Sequence, residues 1–127
     1  LDETNGNLFI SSNDSVNLSR PGLVRCKIDG TACVHLRVSA ASPGSGGDTN
    51  LALDIPNGQL LLTSSDGNSG SALTLFHCNL DGTSCAGGDI GGAGLSQPSM
   101  VVDAKTSTVY IAAGSPATLF RLTPFVQ

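Results

Sequence analysis

The sequence predicts an all-β protein built from a tandem repeat. Three observations lead there. Charged residues are only 13% of the 127-residue chain, where about 25% is usual for a soluble domain. Its 16 glycines and many Ser and Thr punctuate short runs of Leu, Ile and Val. Sliding the chain by 52 positions aligns residues 1–33 with 53–85 without a gap, and 14 of the 33 pairs are identical. The recurring apolar runs argue against disorder, and the length suffices for one domain with a real core.

The identical pairs include Asp2 with Asp54, Asn5-Gly6 with Asn57-Gly58, Leu8 with Leu60 and Asp14 with Asp66. Cys26-Lys27-Ile28-Asp29-Gly30-Thr31-Ala32-Cys33 aligns with Cys78-Asn79-Leu80-Asp81-Gly82-Thr83-Ser84-Cys85. A third, shorter copy places Asp103 at the position of Asp54 and Val109-Tyr110-Ile111 at that of Leu60-Leu61-Leu62. Leu119-Phe120-Arg121-Leu122 then matches Leu75-Phe76-His77-Cys78, with Leu in place of Cys. The copies span approximately 1–48, 49–97 and 98–127.

Each period predicts four short strands. In the second copy they fall at 50–54, 59–64, 73–79 and 83–90, the last weakened by its glycines. Asn57-Gly58 and Asp81-Gly82 supply the turns, because both dipeptides tolerate the positive φ of tight hairpins. Period-two alternation puts Leu8/Ile10, Leu60/Leu62 and Val109/Ile111 on one face of the second strand, with Phe9, Leu61 and Tyr110 on the other. Val24/Cys26/Ile28, Phe76/Cys78/Leu80 and Phe120/Leu122 give the third strand an apolar face. Apolar residues on both faces predict sheets covered on both sides.

This order of elements is an apolar strand ending in Asp, a short turn, a Gly-x-Leu strand, a loop, a Leu-Phe-x-x strand and an Asp-Gly turn. It resembles the four-stranded blade of NHL-like and YWTD-like β-propellers, over essentially the whole chain. The resemblance implies one nearly complete blade opening on the tail of an innermost strand at Leu1-Asp2, one complete blade, and a third without its outermost strand. About two and a half blades do not close a ring of the usual 4–8, and exposed blade faces and edges invite association. The expected partner is therefore either the remainder of a longer chain or another copy, with a dimer giving a six-bladed ring as the simplest case. A β-sandwich or a solenoid is the alternative fold.

Cys26/Cys33 and Cys78/Cys85 each flank an Asp-Gly turn at a spacing of seven. A two-residue turn would set each pair directly opposite, within disulfide range, whereas a Gly-bulge turn would leave the partners diagonal. A metal site ordinarily needs closer Cys spacing and four ligands at one point. Hairpin disulfides are expected, and with them a secreted, periplasmic or cell-surface location. The third copy carries Leu122 at the first cysteine position, which suits a structural role for the bridge.

Other candidates for chemistry weigh less. Asp2, Asp54 and Asp103 recur at one position, where they could ring a channel and hold a cation or simply accept hydrogen bonds from the following turn. Recurrence in every copy favours the turn. His77 stands where Arg25 and Arg121 stand in the other copies and is expected to border solvent, while His35 aligns with Gly87 and lies outside the repeat pattern. Residues 64–70 and their counterpart 12–17 are rich in oxygen ligands but lack calcium-loop spacing, and Asp66 stands in no sialidase box. Gly87-Gly88-Asp89-Ile90-Gly91-Gly92-Ala93-Gly94 opens no helix and reads as a connection.

Net charge is −4 and the six basic residues are scattered, so no nucleic-acid partner is expected. No apolar run approaches the ~20 residues of a membrane span. The only methionine is Met100, so a removed targeting segment or a longer parent chain is expected. With one Tyr, four Phe and no Trp, the chain offers little for stacking on sugars. No cofactor or metal is implied. The reading is a noncatalytic binding module, with a hydrolase or lyase working at a channel mouth as the alternative.

Overall fold

A computed structural model of the chain describes residues 1–13, 21–36, 49–64, 73–91, 95 and 98–123. Within those residues it is all-β, with three antiparallel sheets and no α-helix. The oxygen-rich loop after residue 64, most of its counterpart at 12–17, and residues 92–94 of the glycine run lie outside the described residues. No described helix is long and apolar enough to cross a membrane.

The first sheet joins β1 (Asn7–Asn13), β2 (Pro21–Lys27) and β3 (Val34–Leu36) in that order. The second joins β4 (Thr49–Asp54), β5 (Gln59–Ser64), β6 (Thr74–Asn79) and β7 (Ala86–Asp89). The third joins β8 (Ser99–Asp103), β9 (Thr108–Ala113) and β10 (Thr118–Leu122). Each sheet is a meander whose sequential strands pair antiparallel.

Register ties the copies together. Asp54 pairs with Gln59 and Asp103 with Thr108, each closing the first hairpin of its sheet. Asp2 makes the same pairing with Asn7 as an isolated bridge, through Asp2 N–H to the Asn7 carbonyl at 2.8 Å and Asn7 N–H to the Asp2 carbonyl at 2.9 Å. Asp2 thus occupies the place of a strand end. Within these first turns Gly6 and Gly58 both take φ of 65°, and Ser107 adopts φ of 52° at the corresponding place.

The sheets pack face to face, and period two decides which residues meet. Phe9 and Leu23 of the first sheet bury against Leu60, Leu62, Phe76 and Cys78 of the second. From its opposite face the second sheet buries Leu61, Leu73 and Leu75 against Val109, Ile111 and Ala113 of the third. Leu60, Leu61 and Leu62 are therefore consecutive yet all buried, because alternate residues fill two different cores. Fully burying a side chain of this size stabilises by about 1.5–3 kcal/mol, which makes β5 the strand with most at stake. β4 lies beside both β1 and β8, so neighbouring sheets also approach through their early strands.

Phe76 owes its place to a glycine. It pairs with Gly87, where a Cβ would come within 2.4 Å of the Phe76 ring. The bare backbone lets the ring lie over the outer strand while its other side enters the core.

β7 begins at Ala86, three residues later than the pattern of the sequence predicts, because residues 83–85 form a bulge instead of strand. Gly30 and Gly82 have φ of 82° and 83°, and the N–H groups of both donate to the carbonyl three residues back. Lys27 N–H reaches the Thr31 carbonyl and Asn79 N–H the Thr83 carbonyl, each at 2.8 Å. These are Gly-bulge turns, not two-residue turns. A second irregularity follows at Ala32 and Ser84, with φ of 50° and 51°. It adds one residue, and the strands resume with Arg25 opposite Val34 and His77 opposite Ala86. One step further in, that register sets Cys26 opposite Cys33 and Cys78 opposite Cys85.

Candidate functional site

Both cysteine pairs are disulfides, with S–S distances of 2.02 and 2.05 Å and Cα–Cα distances of 4.0 and 4.1 Å. No described cysteine is free. The second bulge is what brings each pair together after a turn that would otherwise leave it diagonal. Two disulfides in so short a chain belong to the chemistry of an oxidising environment.

Each turn between cysteines is organised by its aspartate. The Asp29 carboxylate accepts from the Thr31 N–H at 2.9 Å and the Thr31 hydroxyl at 2.6 Å. Asp81 accepts from Thr83 in the same way, at 2.9 and 2.5 Å. These bonds, the hydroxyl first, hold both carboxyls below the usual carboxylate range. The field of Lys27 adds to the effect at Asp29, and that of Arg25 adds to it at Asp81. Arg25 belongs to the first sheet and Asp81 to the second.

The recurrent carboxylates Asp2, Asp54 and Asp103 sit at equivalent strand ends, and each is engaged by its own turn. Asp2, fully buried, accepts from the Asn5 side-chain amide at 2.8 Å and the Asn5 N–H at 3.2 Å. Its burial works to raise the pKa, but the bonds from Asn5 and Asn7 outweigh it and leave the carboxyl below its ordinary value. Asp103 accepts from the Thr106 hydroxyl at 2.8 Å and the Lys105 N–H at 3.0 Å, which likewise lower its pKa. Asp54 accepts from the Asn57 side-chain amide at 2.9 Å. Among the described residues no three His, Cys, Asp or Glu side chains gather to hold a metal ion.

The second copy differs in two respects. Asp54 Oδ1 and Gln59 Oε1 are both buried without a hydrogen-bond partner, and their residues face each other across the β4–β5 pair. Asn57 Nδ2 also donates to Ser107 Oγ, joining the first turn of the second sheet to that of the third. The sequence carried a signal for this polar corner, since Asn7, Gln59 and Thr108 hold one repeat position with a polar residue each time. No alternation or motif marks the Asn57–Ser107 link, because the two residues come together only when sheets stack.

The histidines are separated. His77 lies on β6 opposite Leu61, on the face turned to the third sheet, and partial burial lowers its pKa. It is half-buried there, beside Leu61, which the third sheet covers. His35 is exposed on β3 opposite Val24 of the first sheet.

Fold and site together define a repeat protein of stacked, disulfide-pinned antiparallel sheets. Among family models, curated proteins and solved structures, none matches the chain.

Proposed function

We propose that the chain is a noncatalytic interaction module built as β-propeller blades and working in an oxidising space: secreted, periplasmic or on the cell surface. The observation that carries this reading is the second sheet, a four-stranded meander buried on both faces by its own repeats. Propeller blades meet face to face in that way, and further blades complete the ring. The two disulfides support the oxidising location.

The polar residues common to the copies support a binding role over a catalytic one. Asp2, Asp54, Asp103, Asp29 and Asp81 all serve turns. Recognition is then left to positions where the copies differ. The test pairs equilibrium binding to protein and small-ligand panels with turnover assays on ester, glycoside and polyuronide substrates. Saturable binding without turnover is expected. Turnover abolished by substituting a single His, Asp or Arg would instead assign a hydrolase or lyase.

A further inference from the structure

The two outer faces of the stack are unlike, and each matches a face that is already covered elsewhere in the chain. The outer face of the first sheet carries Leu8, Ile10 and Val24, with Ile10 45% exposed. Their repeat counterparts are Leu60, Leu62 and Phe76, the surface with which the second sheet packs on the first. The outer face of the third sheet carries Val101, Tyr110 and Leu119, with Val101 61% and Leu119 69% exposed. Tyr110 and Leu119 correspond to Leu61 and Leu75, the surface the second sheet turns to the third. The free surface at one end of the stack is thus the kind that packs on the free surface at the other end. That pairing of face types occurs twice inside the chain.

Charge repeats the same relation. Arg25 lies on the face of the first sheet that meets the second, opposite Phe9, and its field reaches Asp81 on the turn of the second sheet. Arg121 holds the corresponding place on the outer face of the third sheet, opposite Tyr110. Asp29, the counterpart of Asp81, is exposed at the other end of the stack. The turns tell a matching story. Gly82 is covered, with Leu36 of the first sheet so close that a Cβ would come within 2.7 Å of it, whereas nothing lies within 4 Å of such a Cβ at Gly30.

We infer that a second copy of this chain docks head to tail, its first-sheet face of Leu8, Ile10 and Val24 packing on Val101, Tyr110 and Leu119, with Arg121 set against Asp29. The inference rests on the blade reading above and names the occupant of its open ends. Such a contact joins two different surfaces, so it closes a ring or propagates according to the rotation between copies.

The contact predicts complementation. In sedimentation velocity the oxidised chain self-associates, while Ile10→Asp and Leu119→Asp each weaken association by at least ~tenfold, as a charge buried in an interface core does. An equimolar mixture of the two variants re-forms a dimer, because it restores one pair of intact faces. Arg121→Asp and Asp29→Arg each weaken association, and the doubly exchanged chain recovers it. A wild-type chain that stays monomeric at millimolar concentration overturns the inference. So does a mixture no better associated than its components, or one variant that associates like wild type. Hydrogen exchange on the same samples separates the two levels. A monomer with protected β5 amides contradicts only the docking, whereas unprotected β5 amides in every sample contradict the blade stack itself.

Discussion

At the scale of single residues, polar side chains in this molecule act mostly on their own turn. Asp29 and Asp81 bind the threonine two residues on, Asp2 and Asp54 bind the asparagine three residues on, and Asp103 binds Thr106. Ionised forms are favoured at Asp2, Asp29, Asp81 and Asp103, whose pKa values are all lowered. Their contribution to stability is present above the unfolded carboxylate range and is lost as pH falls through the folded values, below about 4. His77 works in a separate window. Burial lowers its pKa, so below an unfolded value of about 6.5 the unfolded chain binds protons that the folded chain resists. Its favourable state is complete above that pH and erodes as pH falls through the folded value. Thermal unfolding followed from pH 8 to 5 should therefore show a decline in midpoint that His77→Gln abolishes. An identical decline in the variant would place the titration elsewhere.

At the scale of the element, the cysteine hairpin is the most specified unit. A Gly-bulge turn, a second bulge at Ala32 or Ser84 and a disulfide follow one another within eight residues in both copies. Closing so short a loop stabilises by roughly 2 kcal/mol on the chain-entropy account. Cys78→Ala/Cys85→Ala should cost about that much in denaturant unfolding, somewhat more where Cys78 also fills the core between sheets. The two turn glycines offer a sharper comparison. Gly30→Ala meets only the penalty of a positive φ, of order 1 kcal/mol. Gly82→Ala meets that penalty and the Leu36 side chain as well, and overpacking adds typically 1–3 kcal/mol. Equal losses would mean that Leu36 does not rest on the turn.

Much of this element was legible beforehand. The spacing of the cysteines and the Asp-Gly between them announced a hairpin, and alternation assigned Phe9, Leu61 and Tyr110 to one face. The second bulge was not legible, because Ala32 and Ser84 take a left-handed conformation that neither residue type advertises. For the same reason the last strand of the second copy starts at Ala86 and not at residue 83. The Asn57–Ser107 link went unread because its two residues are brought together only by tertiary contact between turns.

At the scale of the whole molecule, the stack of three sheets decides which residues are buried. Alternation along β5 predicts that both faces are covered, but only packing shows what covers them: the first copy on one side and the third on the other. The same residues explain why the end sheets present apolar side chains such as Ile10, Val101 and Leu119 to solvent, since among the described residues each packs on a neighbouring sheet through one face only. The most direct measurement is residue-resolved hydrogen exchange of the oxidised chain, which reports the free energy needed to open each strand. The stack predicts that Leu60, Leu61 and Leu62 of β5 exchange most slowly, followed by β9, with β1 clearly faster. Exchange from β5 as fast as from β1 would contradict it.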